Sequence, residues 1–293
     1  MKKFTLFLLS EKGFCVLKSI IEKDAIEYIQ LVIIGKDDSV ENDFSSQIQE
    51  LCEKNGVENR YREEKTTIES DYSIAVSWRW LIDSGESNLI VIHDSLLPKY
   101  RGFSPLVNQL INGEKKIGVT AILANNEYDR GPIIRQEAIN INYPIKIQAA
   151  IELIVGLYQK IVISIISDVE SGSIKSIVQD ESEATYSIWR DEKDYLIDWN
   201  LPSDVLKRFV DSVGSPYKGA KTFLNGEAIK IDNVEVYDNL SMEICHTGKV
   251  LLLDKERPVV ICGSGLIKIT EASFEDTCLS IFPLVKFRSR FGL

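Results

Sequence analysis

NLIVIHDSLLPKYRG, residues 88–102, is the stretch from which the fold can be read, and it holds one of only two histidines in a chain of 293 residues. Asn88 to Ile92 is an apolar, β-branched run of the kind that fills a parallel strand fully buried on both faces, and His93 arrives where that strand should end. In open α/β sheets, ligands sit in the crevice beyond the carboxyl ends of the strands. An ionisable imidazole there, followed by a short loop closed by Pro98 and then by Lys99, Tyr100 and Arg101, marks a candidate reaction centre beside a binding loop. Taken alone it is a weak signal, because a strand-end histidine satisfied by a backbone carbonyl has the same sequence.

Upstream, Lys3 to Ser10 reads as a first strand, Glu11 to Lys23 as the helix crossing back over the sheet, and Tyr28 to Gly35 as a second buried strand. An acidic, Ser-rich connection follows from Lys36, its second half helical in period. Asn59 to Glu63 fits a short edge strand, and Asp71 to Ile82 a strand that runs into a turn carrying Trp78, Arg79 and Trp80. Downstream, Phe103 to Asn112 reads as a helix with Ser104 as N-cap and Pro105 at the first position. Ile117 to Leu123 and Ile133 to Ile141 are strand-like, separated by the polar loop ANNEYDRG that delivers Asp129. A helix from Ile145 to Asp168 closes the first domain. Alternating strands and helices of this kind give an α/β, mainly parallel, Rossmann-like sheet.

The second half changes character. Pro202 to Val213 reads as a helix, and from Lys221 onward short apolar runs alternate with Gly and Asn turns, as at Asn225-Gly226, Thr247-Gly248 and Gly263-Ser264-Gly265, a pattern of a small β-barrel. The expected organisation is a Rossmann-like domain over 1–180, a linker over 181–204 and a barrel domain over 205–293.

Hydrophobic residues at 44% and charged residues at 27% exclude a disordered chain. A net charge of −10 argues against broad attraction to phosphate backbones, which depends on Lys and Arg releasing counterions. Nucleic acid is therefore a disfavoured partner. The five cysteines are odd in number and lack metal-ligand spacing, so they read as reduced thiols of a cytoplasmic protein, and no metal is expected. The apolar start flows into a helical pattern without a small-residue cleavage site, so it reads as a strand and not as a signal peptide. The apolar stretch from Ile147 to Ser167 is interrupted by Gln148, Glu152, Gln159 and Lys160, which suits a core helix and not a membrane span. The sequence sets no oligomeric state, and a homodimer stays open.

His93, Ser95-Leu96-Leu97-Pro98, Tyr100-Arg101-Gly102, Asn112-Gly113-Glu114, Gly118-Val119-Thr120, and Asp129 with Gly131 two residues later occur in an order that resembles the catalytic core of the folate-dependent formyltransferases. The likeness is to methionyl-tRNA formyltransferase and most of all to the relatives that N-formylate nucleotide-linked amino sugars. It is strongest from His93 to Gln136 and continues more weakly through Asp194 to Trp199 and Ser215 to Ala220. The resemblance implies an OB-like C-terminal barrel, 10-formyltetrahydrofolate as co-substrate, and a UDP- or dTDP-linked amino sugar of polysaccharide or flagellin glycosylation as acceptor. It implies that Ser95, Leu96, Leu97 and Pro98 flank the formyl donor and that Asn126, Glu127 and Tyr128 meet the pterin through their backbone. Lys99 and Arg101, with Gly102, fall where acceptor phosphates would be met. Trp78, Arg79 and Trp80 fall near the folate pocket of the sugar-modifying relatives, although an aromatic cluster packing the sheet edge is an equal reading. The tRNA-directed relatives carry a basic loop where this chain has Asp37, Asp38, Glu41 and Asp43, which weighs against tRNA.

Formyl transfer to an amine needs a base for the ammonium proton and a donor for the tetrahedral oxyanion. The family meets these needs with an Asn-x-His pair and an Asp. Here His93 and Asp129 match, but Val91 stands where the asparagine is expected, and valine cannot donate a hydrogen bond. Losing one such donor typically costs roughly 10²- to 10³-fold in rate. The substitutes open to this chain are Asn125, Asn126 or a protonated His93, with Asp94 as a neighbouring anion. Methionyl-tRNA formylation, and a non-catalytic folate- or nucleotide-binding relative, are the alternative readings.

Overall fold

The computed structural model describes residues 1–38, 40, 42–238, 240–284 and 286–292. Glu41 of the acidic connection lies outside the described residues. The chain divides into two compact units, one of Met1–Leu106, Lys116–Asn140 and Ile151–Ile188, the other of Val107–Lys115, Ile141–Ala150 and Trp189–Leu293. Residues 181–188, assigned to a linker on sequence grounds, belong to the first unit.

In the first unit the apolar runs form β1 (Phe4–Leu8), β2 (Ile29–Ile34), β3 (Glu58–Tyr61), β4 (Tyr72–Val76) and β5 (Asn88–His93), connected in part by α1 (Ser10–Glu22) and α2 (Ser45–Lys54). A short β6 (Arg101–Gly102) leads to α3 (Pro105–Asn112), most of which belongs to the second unit, and the first unit resumes with β7 (Lys116–Leu123), β8 (Ile133–Asn140), α4 (Ile147–Glu170) from Ile151 onward, and β9 (Tyr186–Ser187). The seven-stranded sheet has the order β3-β2-β1-β4-β5-β7-β8. Neighbours from β3 to β5 run parallel, whereas β7 pairs antiparallel with both β5 and β8. The result is a Rossmann-like sheet with an antiparallel hairpin at one edge.

Strand residues alternate between faces. Leu6, Leu8, Val32, Ile34, Ile74, Val76, Ile90 and Ile92 are all buried on one face. On this side the Tyr158 hydroxyl of α4 lies 3.1 Å from the Ile92 carbonyl oxygen. The other face carries Phe7, Leu31, Ile33 and Ala75, against which Ile68, Trp78, Ile82, Leu89 and Val91 pack. The expectation that the strand before His93 is buried on both faces is corrected here: Asn88 is exposed and Leu89 and Val91 are only partly buried, because that face is packed by the loop residues Ile68, Trp78 and Ile82. α4 is long and apolar enough to cross a membrane, but half of its most apolar window is buried in the fold.

The second unit adds α5 (Ser203–Val213), β10 (Ala220–Leu224), β11 (Glu227–Tyr237), β12 (Val250–Asp254), β13 (Arg257–Ile261) and β14 (Leu266–Phe274). The antiparallel order is β10-β11-β14-β13-β12, with α5 packed on β10, β11 and β14. Residues 289–292 join the two edge strands. Val250 N–H donates to the Ser289 carbonyl at 3.1 Å, Phe291 N–H to Gly248 at 2.7 Å and Gly292 N–H to Phe223 at 3.0 Å, so the sheet closes into an OB-like barrel. Gly248 has φ +79°, and a Cβ there would lie 2.0 Å from the Phe291 carbonyl oxygen, so the closure needs glycine. Trp199 plugs this barrel, its indole N–H donating to Thr222 Oγ1 at 3.0 Å and its ring packing on Phe291.

Candidate active site

β5 ends on His93, which is 8% exposed at the carboxyl edge of the sheet. Its Nε2 lies 2.7 Å from the Tyr100 carbonyl oxygen. A carbonyl can only accept, so Nε2 carries the proton and Nδ1 is the ring atom left for chemistry. Nδ1 faces Asp129 Oδ1 at 3.5 Å, longer than a direct hydrogen bond. The other carboxylate oxygen accepts the Gly102 N–H at 2.8 Å, and Asp129 itself sits at φ +55°. The two residues singled out by sequence therefore converge, with an acceptor carboxylate beside the free nitrogen of an oriented imidazole. Catalytic hydrogen bonds are often loose before substrate binds.

Gly102 is forced by the backbone around it. Its φ is +98°, and a Cβ would stand 2.3 Å from the Ser187 carbonyl oxygen where β6 pairs with β9.

Asp94 does not act on the imidazole in the way a bare neighbouring anion would. Consecutive strand residues point to opposite faces, so Asp94 turns to the helix side, where the Lys12 ammonium and the Tyr158 hydroxyl both bond its carboxylate. Burial pushes the Asp94 carboxyl up, but the Lys12 charge and the bonds from Lys12 and Tyr158 outweigh it and leave it below the usual range. Burial and the Asp94 charge drive the Tyr158 phenol up. This network ties the end of β5 to α1 and α4.

Arg101 is also corrected. It is 1% exposed, so it does not reach out to acceptor phosphates. Its guanidinium is held by Gln179 Oε1, at 3.2 Å from Nε and 2.8 Å from Nη2, and by both Glu181 oxygens at 2.9 and 2.7 Å. Lys99 is exposed.

The Ser95 to Pro98 loop is fastened from beneath. The Ser95 side chain donates to the Lys99 carbonyl, Leu97 N–H to Thr120 Oγ1, and Gln136 Nε2 to the Leu97 carbonyl and to Thr120 Oγ1. Ser95 and Leu97 are buried, and Leu96 and Pro98 partly so. Residues 125–128 are exposed beside Asp129. Asn125 Oδ1 accepts the Glu127 N–H at 2.9 Å, so that oxygen serves its own loop.

Trp78 stands edge-on to Phe7 and to Trp80, and Arg79 pairs with the buried Asp37 carboxylate. Trp78 and Trp80 pack together at the ends of β1, β2 and β4, with Arg79 exposed between them in sequence. Trp78 and Val91 pack on the same apolar group, which places the cluster on the His93 face of the sheet. The Trp78 indole N–H is enclosed and has no hydrogen-bond partner among the described residues.

Residues 177–187 are the part of the site that sequence reading missed. Ile177 pairs with Ile133, Thr185 exchanges hydrogen bonds with Pro98, Tyr100 and Arg101, and Phe103 N–H donates to Ser187. Arg130 reaches the Tyr186 hydroxyl at 2.8 Å. The segment is a strap over both the Asp129 loop and the loop after His93. Its only mark in sequence is a polar run, Gln179 to Glu183, with no period to betray a buried residue.

A family model described as formyl transferase matches residues 38–148, and one described as formyl transferase, C-terminal domain, matches residues 190–278, together more than half of the chain. Methionyl-tRNA formyltransferase of Thermotoga neapolitana is 33% identical over 61% of this chain, and that of Geobacter sulfurreducens 32% identical over 73%. The matched regions span 56% and 65% of those two relatives. Among solved structures, an N-formyltransferase of Helicobacter canadensis, in complex with folinic acid and dTDP-3-aminofucose, superposes with a TM-score of 0.73 at 17% identity, covering 92% of this chain and 99% of that one. A 4-N formyltransferase of Francisella tularensis gives 0.58 at 20% identity, covering 75% of this chain and 91% of that one.

Proposed function

The chain belongs to the formyl transferase family, and from that membership we propose that it moves a formyl group from 10-formyltetrahydrofolate to the amine of a nucleotide-linked amino sugar. The observation that carries the reaction class is the convergence of His93 and Asp129 at the carboxyl edge of the sheet. When bound, the folate supplies an activated formyl carbonyl. Asp129 would take the proton released as the acceptor nitrogen bonds to the formyl carbon, the carbon–nitrogen bond to the folate would break so that tetrahydrofolate leaves with a proton on that nitrogen, and His93, anchored through Nε2 to Tyr100, presents Nδ1 toward the same atoms. Val91 leaves the oxyanion without the expected side-chain donor, so protonated His93 or Asn126 is assigned that duty. The enclosed, unpartnered Trp78 N–H fits a ligand that brings a hydrogen-bond acceptor to this face. The exposed 125–128 loop is assigned to the pterin and exposed Lys99 to acceptor phosphate.

The sugar acceptor is favoured by the 37–45 segment. Asp37 is buried against Arg79, and Asp43 accepts from the Asp37 and Ser45 backbones, so the carboxylates held here are ill suited to a phosphate backbone. The curated relatives motivate the second reading, methionyl-tRNA as acceptor. Incubation with 10-formyltetrahydrofolate and, separately, UDP- and dTDP-linked 3-amino and 4-amino sugars and Met-tRNA, followed by mass spectrometry, decides between them. A formylated sugar nucleotide supports the proposal. Formyl-Met-tRNA alone moves the assignment to the second reading, and no product from any acceptor overturns both.

A further inference from the structure

Gln179 lies in no recognised motif, yet its side chain is 5% exposed at the centre of the strap. Its amide oxygen accepts Arg101 Nε at 3.2 Å and Nη2 at 2.8 Å, and its amide nitrogen donates to the backbone carbonyls of Asp129 at 2.7 Å and Gly131 at 2.8 Å. A primary amide has two acceptor sites and two N–H donors, and all four are engaged. The orientation is dictated by chemistry, since a guanidinium only donates and a carbonyl only accepts. One side chain thus links the backbone at the candidate base and just after it to the residue immediately before Gly102. Gly102 N–H is itself the donor to Asp129 Oδ2. The carboxylate is gripped through its own backbone and through its side chain, and both grips run back to Arg101.

We propose that Gln179 is a positioning residue for the transfer reaction, holding Asp129 at its working distance from His93. This rests on the proposed formyl transfer. Arg101 is the fixed point of the arrangement, buried and anchored on its far side by Glu181. The groups facing the imidazole are Asp129 and the Tyr100 carbonyl, with Asp94, Lys12 and Tyr158 on the opposite side of the strand end.

The test uses Gln179→Met, which keeps the volume and removes all four polar contacts, and Gln179→Glu, which keeps the acceptor for Arg101 but sets an oxygen against two carbonyls. With an acceptor that the unaltered protein formylates, both variants should lower kcat at least about tenfold and leave KM for 10-formyltetrahydrofolate within about twofold. In an Asp129→Asn background, Gln179→Met should cost less than about twofold more, because its effect passes through Asp129. An equal loss in both backgrounds, or an unchanged kcat, overturns the proposal. A second arm needs no turnover. The chain has two histidines, so ring ¹⁵N signals of His93 are assigned by comparison with His246→Asn. Gln179→Met should shift them in the direction that Asp129→Asn does, with the rest of the spectrum still dispersed. Unmoved His93 signals overturn the positioning role. Inactivity of the unaltered protein with every acceptor counts against formyl transfer and leaves this arm to judge Gln179.

Discussion

At the residue scale the site rests on two groups whose chemistry is separable. Asp129→Asn keeps the shape and the contact to Gly102 but removes the base, so formyl transfer should fall by roughly 10²- to 10⁴-fold with little change in melting temperature. Comparable activity in initial-rate assays would remove Asp129 from proton transfer. Val91→Asn tests the missing donor. The asparagine would sit beside Phe7 and Ala75, so chemical denaturation should show a loss of about 1–3 kcal/mol for a buried, incompletely paired amide. Formyl transfer at 25 °C should nevertheless equal or exceed that of the unaltered protein, and a clear drop would show that another group has taken the role. Both candidate residues were legible in sequence, His93 as one of two histidines at the end of a strongly apolar strand and Asp129 through the family's order of motifs, in the polar loop after β7. The role of Arg101 was not. A basic residue in a Gly-containing loop reads as solvent-exposed, and only the fold brings Gln179 and Glu181 against it.

At the element scale the end of β5 is held from behind by Lys12 of α1 and Tyr158 of α4 through Asp94. Lys12→Met leaves a buried carboxylate without its cation and should destabilise the protein by about 3–5 kcal/mol in urea titrations. Adding Asp94→Asn to that variant should recover part of the loss. The Asp94 carboxyl is depressed in the folded state, so the stability it contributes is complete above its unfolded value of about 3.9 and is lost as pH falls through the lower folded value. Denaturation curves of Asp94→Asn should therefore flatten relative to the unaltered protein on the acid side of about pH 4. Strand and helix positions came through in the sequence within a residue or two, since periods of 2 and 3.6 are local properties. The partners of Asp94 did not, because the charged Lys12 interrupts an amphipathic helix and its match lies 82 positions away.

At the scale of the whole molecule, the mainly parallel sheet and the later barrel were both legible, the first from buried apolar runs alternating with helices and the second from closely spaced turns. The antiparallel hairpin of β7 and β8, and the joining of the barrel by residues 289–292, were not, because pairing direction and long-range seams leave no local pattern. Gly248→Ala should force the seam apart and lower the thermal midpoint of the protein, with the heat-capacity trace showing whether the second unit melts first. With a net charge of −10, filter binding should retain Met-tRNA weakly, and only at low salt. Tight retention at physiological ionic strength would favour the tRNA acceptor. The same seam bears on how the protein is handled. Its stitches run through residues 289–292, so tension applied to that segment would load the barrel one hydrogen bond at a time, like a zip.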